Sequence, residues 1–412
     1  MKTMKLYILL AFVFFGITSE AQSVEHFLQI AAENNPEIQS AYSEFEAALQ
    51  KSPQVSSLPD PTLTVSAFGR MMETRLGAQE ARFSLMQMFP WFGTLSARTN
   101  SADLMAEAKF QEYLNTREKV FMQVKNAYAD IYEAFGTIAA KNENLEILDS
   151  YRDLALNRFE AGNAPMVNVV KVDIQKDEAE TEIEILKEEL ETRKDQLRFL
   201  INDLGDVEIA VQDTLVVEFD SFNEQDFTEH PRLAMLQKKT EAYQNDELVA
   251  EKNGLPNLGV GVDYSIISKR TDANPENNGQ DAIMPMVSIS LPIFRKKYRA
   301  QKEEARLMAQ ASEQQKEAVA NELRSEFSMA KYQLKKSERL LELYSNQIEK
   351  SNQANKLLIS GFSNSNSDFQ EVLQMNSDIL LYKIQQVSAL AQAYKAAAKL
   401  EYLQYQNSDE NE

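Results

Sequence analysis

Residues 61–93 read PTLTVSAFGRMMETRLGAQEARFSLMQMFPWFG, and this stretch decides the fold. Its first part alternates: Leu63, Val65, Ala67 and Gly69 share one face, while Thr62, Thr64 and Ser66 share the other. The third part repeats the pattern, with Phe83, Leu85 and Phe89 on one face and Ser84, Met86 and Met88 on the other. Successive strand side chains point to opposite faces, so each part is a strand with one greasy face and one mixed face. The polar segment 71–80, with Gly77, is expected to form the turn. The whole reads as a β-hairpin over about 61–90, stopped where Pro90 removes a ladder donor. On either side of it the chain is patterned for helix.

Length and composition bound the rest. The chain has 412 residues, of which 43% are hydrophobic, enough for a large core. It has no cysteine, which excludes disulfides and thiolate metal sites. A formal charge of −20 argues against a nucleic-acid partner held by basic charge. The first residues read as a secretory signal peptide over 1–21: Lys2 and Lys5, an apolar run from Leu6 to Phe15, and Ser19-Glu20-Ala21 before the cut. The rest of the chain has no apolar run long enough for a spanning helix, which takes about 20 residues, so any insertion into a membrane uses strands.

Helical periodicity runs from Val24 to Leu49, with Asn35-Pro36 marking a kink or a new helix start. Residues 52–61 carry Pro53, Pro59 and Pro61 and read as an extended lead-in. After Gly93, Phe110, Leu114, Phe121, Val124, Tyr128, Ile131, Phe135, Ile138 and Leu145 follow steps of three and four, with only Arg117 and Asn142 breaking the register. That spacing is a coiled-coil seam, and some 50 residues of it make a rod of roughly 75 Å. Gly162 and Pro165 mark the stop, and a second long helix is expected over about 166–203.

The order then recurs. Pro36 is answered by Pro231, Pro59 by Pro256, Pro90 by Pro292 and Gly162 by Gly361, each about 200 residues on. A second hairpin is expected over about 257–292. A long helix follows with the seam Leu323, Phe327, Ala330, Leu334, Ser337, Leu341, Tyr344 and Ile348, then a last helix. The chain is a tandem duplication: a first repeat over 22–205, a connector over 206–225, a second repeat over 226–406 and an acidic tail at 407–412.

This ordered set resembles the TolC-type outer-membrane efflux family over nearly the whole chain. It is carried by Asn34-Asn35-Pro36, by Gln87-Met88-Phe89-Pro90-Trp91-Phe92-Gly93, by Asn157-Arg158-Phe159-Glu160-Ala161-Gly162 and by Leu200-Ile201-Asn202-Asp203-Leu204-Gly205. The resemblance implies a mainly α fold with β-hairpins, in which long helices form an α-barrel. Four transmembrane strands per chain would close a 12-stranded β-barrel as a homotrimer. It further implies an outer-membrane duct of a tripartite efflux or type I secretion system. Such a duct conducts passively and works with a periplasmic adaptor protein and an inner-membrane efflux pump. Two isolated hairpins leave open edges that outer-membrane lipid does not tolerate, and closure between subunits removes them.

No catalytic constellation stands out, and no cofactor is implied. His230 precedes a proline at a helix start, a capping or packing position. The resemblance places an aperture acid at Glu371, with Asp368 one turn before it and Gln374 and Asn168 at related pore-lining positions. It puts adaptor contacts at the turns marked by Gly162 and Gly361. The gate-locking basic and aromatic residues of some members are replaced by Leu358 and Ser363. Met86, Met88, Met284 and Met286 share the mixed face of their strands; no metal site is assigned, though thioethers are ligands for soft ions. The alternative reading is a soluble periplasmic coiled-coil adaptor or structural protein.

Overall fold

The computed structural model describes residues 24–203, 205, 209–211, 215–222, 227–364 and 368–405. The expected signal peptide and acidic tail lie outside them, as do Leu204 and much of the expected connector. The elements are α1 (Val24–Asn34), α2 (Pro36–Leu49), α3 (Lys51–Ser56), β1 (Thr62–Thr74), β2 (Gly77–Phe89), α4 (Thr94–Glu160) and α5 (Val167–Ile201). These are followed by α6 (Pro231–Asn253), β3 (Leu258–Ile267), β4 (Ala282–Ile289), α7 (Arg295–Ser363) and α8 (Phe369–Leu403). The order of elements recurs, with helix, hairpin and two long helices given twice. No described helix is long and apolar enough to cross a membrane.

Two details differ from the sequence reading. The lead-in is not wholly extended, because residues 51–56 form the short helix α3, with Pro53 in its first turn, where a missing amide costs nothing. The first turn is two residues long rather than ten, since β1 and β2 pair as far as Thr74 and Gly77. Polarity misled here: these tip residues are hydrophilic yet still laddered. Thr74 Oγ1 donates to the Gly77 carbonyl at 2.7 Å. Gly77 has φ +136°, and a Cβ there would run into the carbonyl of Ser268, so only glycine fits.

The chain forms two compact units. Unit one comprises the described residues of Met1–Asn35, Val120–Phe219 and Gln333–Ala398, and unit two those of Pro36–Lys119, Asp220–Tyr332 and Lys399–Glu412. The units do not follow the two repeats, because each draws segments from both.

Unit two holds the antiparallel sheet, in the order β1-β2-β3-β4. Its register sorts the side chains by face. Leu63, Leu85 and Val262 lie in one row, and Val65, Phe83, Tyr264 and Ile283 in the next. This face is bare: Leu63 is 62% exposed and Ile283 70%. The opposite face carries Thr64, Ser84, Asp263 and Met284 in one row and Ser66, Arg82 and Ser265 in another. Gln79 Nε2 donates to Ser265 Oγ at 2.6 Å on that side, both groups buried. The sheet is therefore polar where it is covered and apolar where it is open, the reverse of a sheet on a water-soluble core. Also in unit two, Tyr42 meets Tyr113 at 5.4 Å and Phe45 meets Phe110 at 5.2 Å between ring centroids. Phe110 thus packs on α2 and is not a member of the seam.

In unit one the buried side of α4 advances by threes and fours through Val120, Val124, Tyr128, Ile131, Ala134 and Ile138, and after a step of six again through Asn144, Leu148, Tyr151 and Ala155. The seam passes through Ala134 rather than Phe135, which is 48% exposed. Close approach of α4 to the alanine-rich α8 explains the choice. A Cβ on Gly136 would stand 2.7 Å from Val387 Cγ1, leaving no room for a phenylalanine.

The residue before each repeat's first proline ties back to the last helix of that repeat. Asn35, buried, donates from Nδ2 to the Leu200 carbonyl at 2.7 Å, and Asn202 Nδ2 returns the bond to the Asn34 carbonyl at 3.1 Å. In the second repeat His230 caps α6, its Nδ1 accepting from the Arg232 amide at 3.2 Å, and its ring stands edge-on to Tyr402 at 5.3 Å. Burial, with the cations of Arg232 and Lys399, holds this imidazole down at about 4. It is neutral at pH 7, as an accepting Nδ1 requires.

Gly136→Ala is expected to lower stability by about 1–3 kcal/mol through overpacking. A Val387→Ala change in the same chain should recover much of that loss. Thermal unfolding followed by circular dichroism in detergent checks both, and a neutral Gly136→Ala would contradict the packing.

Candidate functional site

The helix turns of unit one are the place to look. At the first, α4 ends in a Schellman motif: the Gly162 amide donates to the Phe159 carbonyl and the Asn163 amide to the Arg158 carbonyl, both at 2.9 Å. Gly162 sits at φ +73°, as the motif demands. At the second, Gly361 does not repeat this role. It lies in the last turn of α7, which continues to Ser363. The helix α7 is followed by Asn364, residues 365–367 lie outside the described residues, and the chain resumes at Asp368 before α8. The echo of Gly162 in Gly361 is one of sequence, not of backbone conformation.

Beneath both turns lies one core of Leu148, Tyr151, Ala155, Val169, Val172, Phe362, Phe369, Val372 and Leu373. Phe362 and Phe369 lie 4.8 Å apart across the second turn. Tyr151 OH accepts from Asn355 Nδ2 at 2.7 Å, and burial pushes its phenol up. Arg158 bridges the two turns: its Nη1 donates to the Ser363 carbonyl at 2.8 Å while its guanidinium stands 5.5 Å from the Phe362 ring centre.

The four expected aperture residues behave differently. Glu371 is exposed in the first turn of α8. Asp368 is the cap of that helix, with Oδ1 accepting from the Gln370 amide at 3.0 Å. Its geometry is that of a helix start, which any aspartate before such a turn adopts. Gln374 is exposed and donates to Asp378 Oδ1 at 3.0 Å. Asn168 is buried, so it offers an aperture little surface. It lies in the first turn of α5 beside Val169, which is fully buried in the shared core.

The sequence reading missed the polar contacts that hold these helices together. Lys171 Nζ donates to Gln370 Oε1 at 2.6 Å, joining the starts of α5 and α8. Arg152 pairs with Asp173 at 2.7 Å, and Lys176 pairs with Asp149. Donating to the Asp173 carboxylate raises the Arg152 guanidinium, and donating to the Asp149 carboxylate raises the Lys176 ammonium. A signal existed: Asp149 and Arg152 stand three apart on one helix, Asp173 and Lys176 three apart on the next. Deeper in, Asn376 Nδ2 donates to Asn144 Oδ1 at 2.7 Å, both residues buried. Among the described residues, no group of three His, Cys, Asp or Glu side chains could hold a metal ion. Met86 and Met286 lie in one row across Gly261, and Met88 and Met284 share their face.

The family model described as "Outer membrane efflux protein" matches residues 27–203 and 226–403, one match for each repeat. No match was found among curated protein sequences. Solved structures share the fold at low identity. The outer-membrane channel OprN is 17% identical with a TM-score of 0.76, covering 92% of this chain and 89% of its own. VceC from Vibrio cholerae is 14% identical with a TM-score of 0.71, covering 92% and 95%. MtrE of Neisseria gonorrhoeae is 15% identical with a TM-score of 0.70, covering 92% and 88%.

The buried asparagine pair and the surface ion pairs should separate energetically. Asn376→Ala leaves the Asn144 oxygen without its donor and is expected to cost about 1–3 kcal/mol. Arg152→Ala breaks a half-exposed pair and is expected to cost under about 1 kcal/mol. Thermal midpoints measured side by side check the ranking, and the reverse order would refute it.

Proposed function

The chain belongs to the outer membrane efflux protein family, and from that premise we propose how its parts divide the work. It is the outer-membrane channel component of a tripartite efflux system in a Gram-negative bacterium, with a periplasmic helical part. Its work is transport, not catalysis. Channels of this family form trimers and assemble with efflux-pump partners.

The observation that carries the reading is the sheet of unit two. Its apolar face is bare and its edge strands β1 and β4 have no partner among the described residues. In a bilayer an unpaired strand edge costs several kcal/mol per unsatisfied group. Three copies of this chain, β4 of one beside β1 of the next, would remove every edge and turn the bare face to lipid. The polar face would then line the conduit. A soluble adaptor would have no use for this face.

In the same reading the helix ends near Gly162 and Gly361 meet a periplasmic adaptor, which links the duct to an inner-membrane pump. Glu371 is the aperture acid, supported by its exposure in the first turn of α8. Three copies of it would form a carboxylate ring that favours cations. Asp368 adds charge from its cap position, and Gln374 lies one turn further along.

Fractionation and native mass measurement in detergent test the assembly: an outer-membrane trimer is expected, and a soluble periplasmic monomer would overturn it. Glu371→Gln in planar bilayers should lower the preference for cations over anions, and unchanged selectivity would remove Glu371 from the aperture.

A further inference from the structure

The polar face of the sheet carries a cluster that the channel reading leaves unused. Met86 and Met88 stand two apart on β2, so both point to this face. Opposite them on β3 are Gly261 and Gly259, and beyond these on β4 are Met286 and Ser288. The thioethers reach across the glycines to one hydroxyl: Ser288 Oγ lies 3.6 Å from Met86 Sδ and 3.7 Å from Met88 Sδ.

The glycines make the room. A Cβ on residue 259 would stand 2.6 Å from Met88 Sδ and 3.1 Å from Met86 Sδ. A Cβ on residue 261 would stand 3.1 Å from Met86 Sδ. Both sulfurs therefore converge over one bare patch of backbone. A serine hydroxyl has one proton and can serve only one sulfur at a time, so the pair keeps lone pairs free. Met286 flanks the patch, two residues from Ser288 on the same face. Asp263, also on this face, is 3% exposed, and its Oδ1 has no hydrogen-bond partner among the described residues.

We propose that Met86 and Met88, with Met286 beside them, bind a soft monovalent d10 cation, Cu(I) or Ag(I), on the polar face of the sheet. Polarisable thioethers suit such ions, and a wall of oxygen ligands does not. Asp263 on this face is paired with Arg82 at 4.0 Å, so the thioethers and not a free carboxylate carry the binding. That the ion meets this site inside a conduit rests on the channel reading; binding by the purified chain does not.

The test uses full-length protein purified in detergent and silver nitrate in chloride-free buffer. After gel filtration, bound silver is measured by mass spectrometry. About one retained silver per chain is expected in the native protein. Met86→Leu combined with Met88→Leu keeps the volume and should reduce bound silver at least about tenfold. Met308→Leu, an exposed methionine on α7, should not change it. No retained silver in the native protein, or equal silver in the double variant, overturns the proposal. If the double variant fails to assemble, the methyl resonances of carbon-13-labelled methionine in the native protein decide. Silver must then shift the Met86 and Met88 signals, and shifts confined to other methionines overturn it. A native trimer in the outer membrane that binds no silver would refute this site while leaving the channel reading intact.

Discussion

The structure depends on one constraint: a strand edge cannot stay unpaired in a medium without water. The four-stranded sheet has two such edges and an apolar face with nothing over it. The alternation gathers Arg82, Asp263, Gln79 and Ser265 on one side, while the other side is apolar apart from Gln87 near the end of β2. A sheet of this kind is incomplete as a single chain. The helical parts are under the opposite demand, since their exposed faces are charged and their seams are narrow. The pairing of a lipid-adapted sheet with water-adapted helices separates this chain from an ordinary periplasmic coiled coil.

Much of this was legible in the sequence because it rests on periodicity and order. Alternation located both hairpins, steps of three and four located the long helices, and the offset between paired prolines exposed the duplication. The errors arose where a local rule competed with a distant contact. Polar residues at 71–80 suggested a long turn, yet the ladder continues to Thr74 and Gly77. Phe110 and Phe135 have the spacing of seam residues, but one packs on α2 and the other is displaced by the close approach of Gly136 to Val387. The glycine at 361 imitates the one at 162 without adopting its conformation.

The candidate aperture shows the same division. Glu371 was singled out through resemblance, and the fold leaves it exposed in the first turn of α8. Asp368 and Asn168 matched by position alone, and the fold gives one a capping bond and the other a buried place. The contacts that join the turns, from Arg158, Lys171, Arg152 and Lys176, come from different helices. Their pairing depends on how neighbouring helices are staggered, which one helix's spacing cannot reveal. The methionine cluster is intermediate: its shared face was readable from alternation, whereas its convergence on Ser288 needed the register of three strands.

The bonds from Asn35 to Leu200 and the contact of His230 with Tyr402 bear on how such a chain could arise. In each repeat they bring the first helix joint against the final turns of the last long helix, so the beginning and end of the repeat are neighbours. A segment whose ends already touch can be copied in tandem with only a short connector, because the second copy starts where the first one finished. Had the ends lain at opposite extremes of the long helices, doubling would have needed a linker as long as a helix. The small clasp around each proline thus holds the two ends of each repeat side by side.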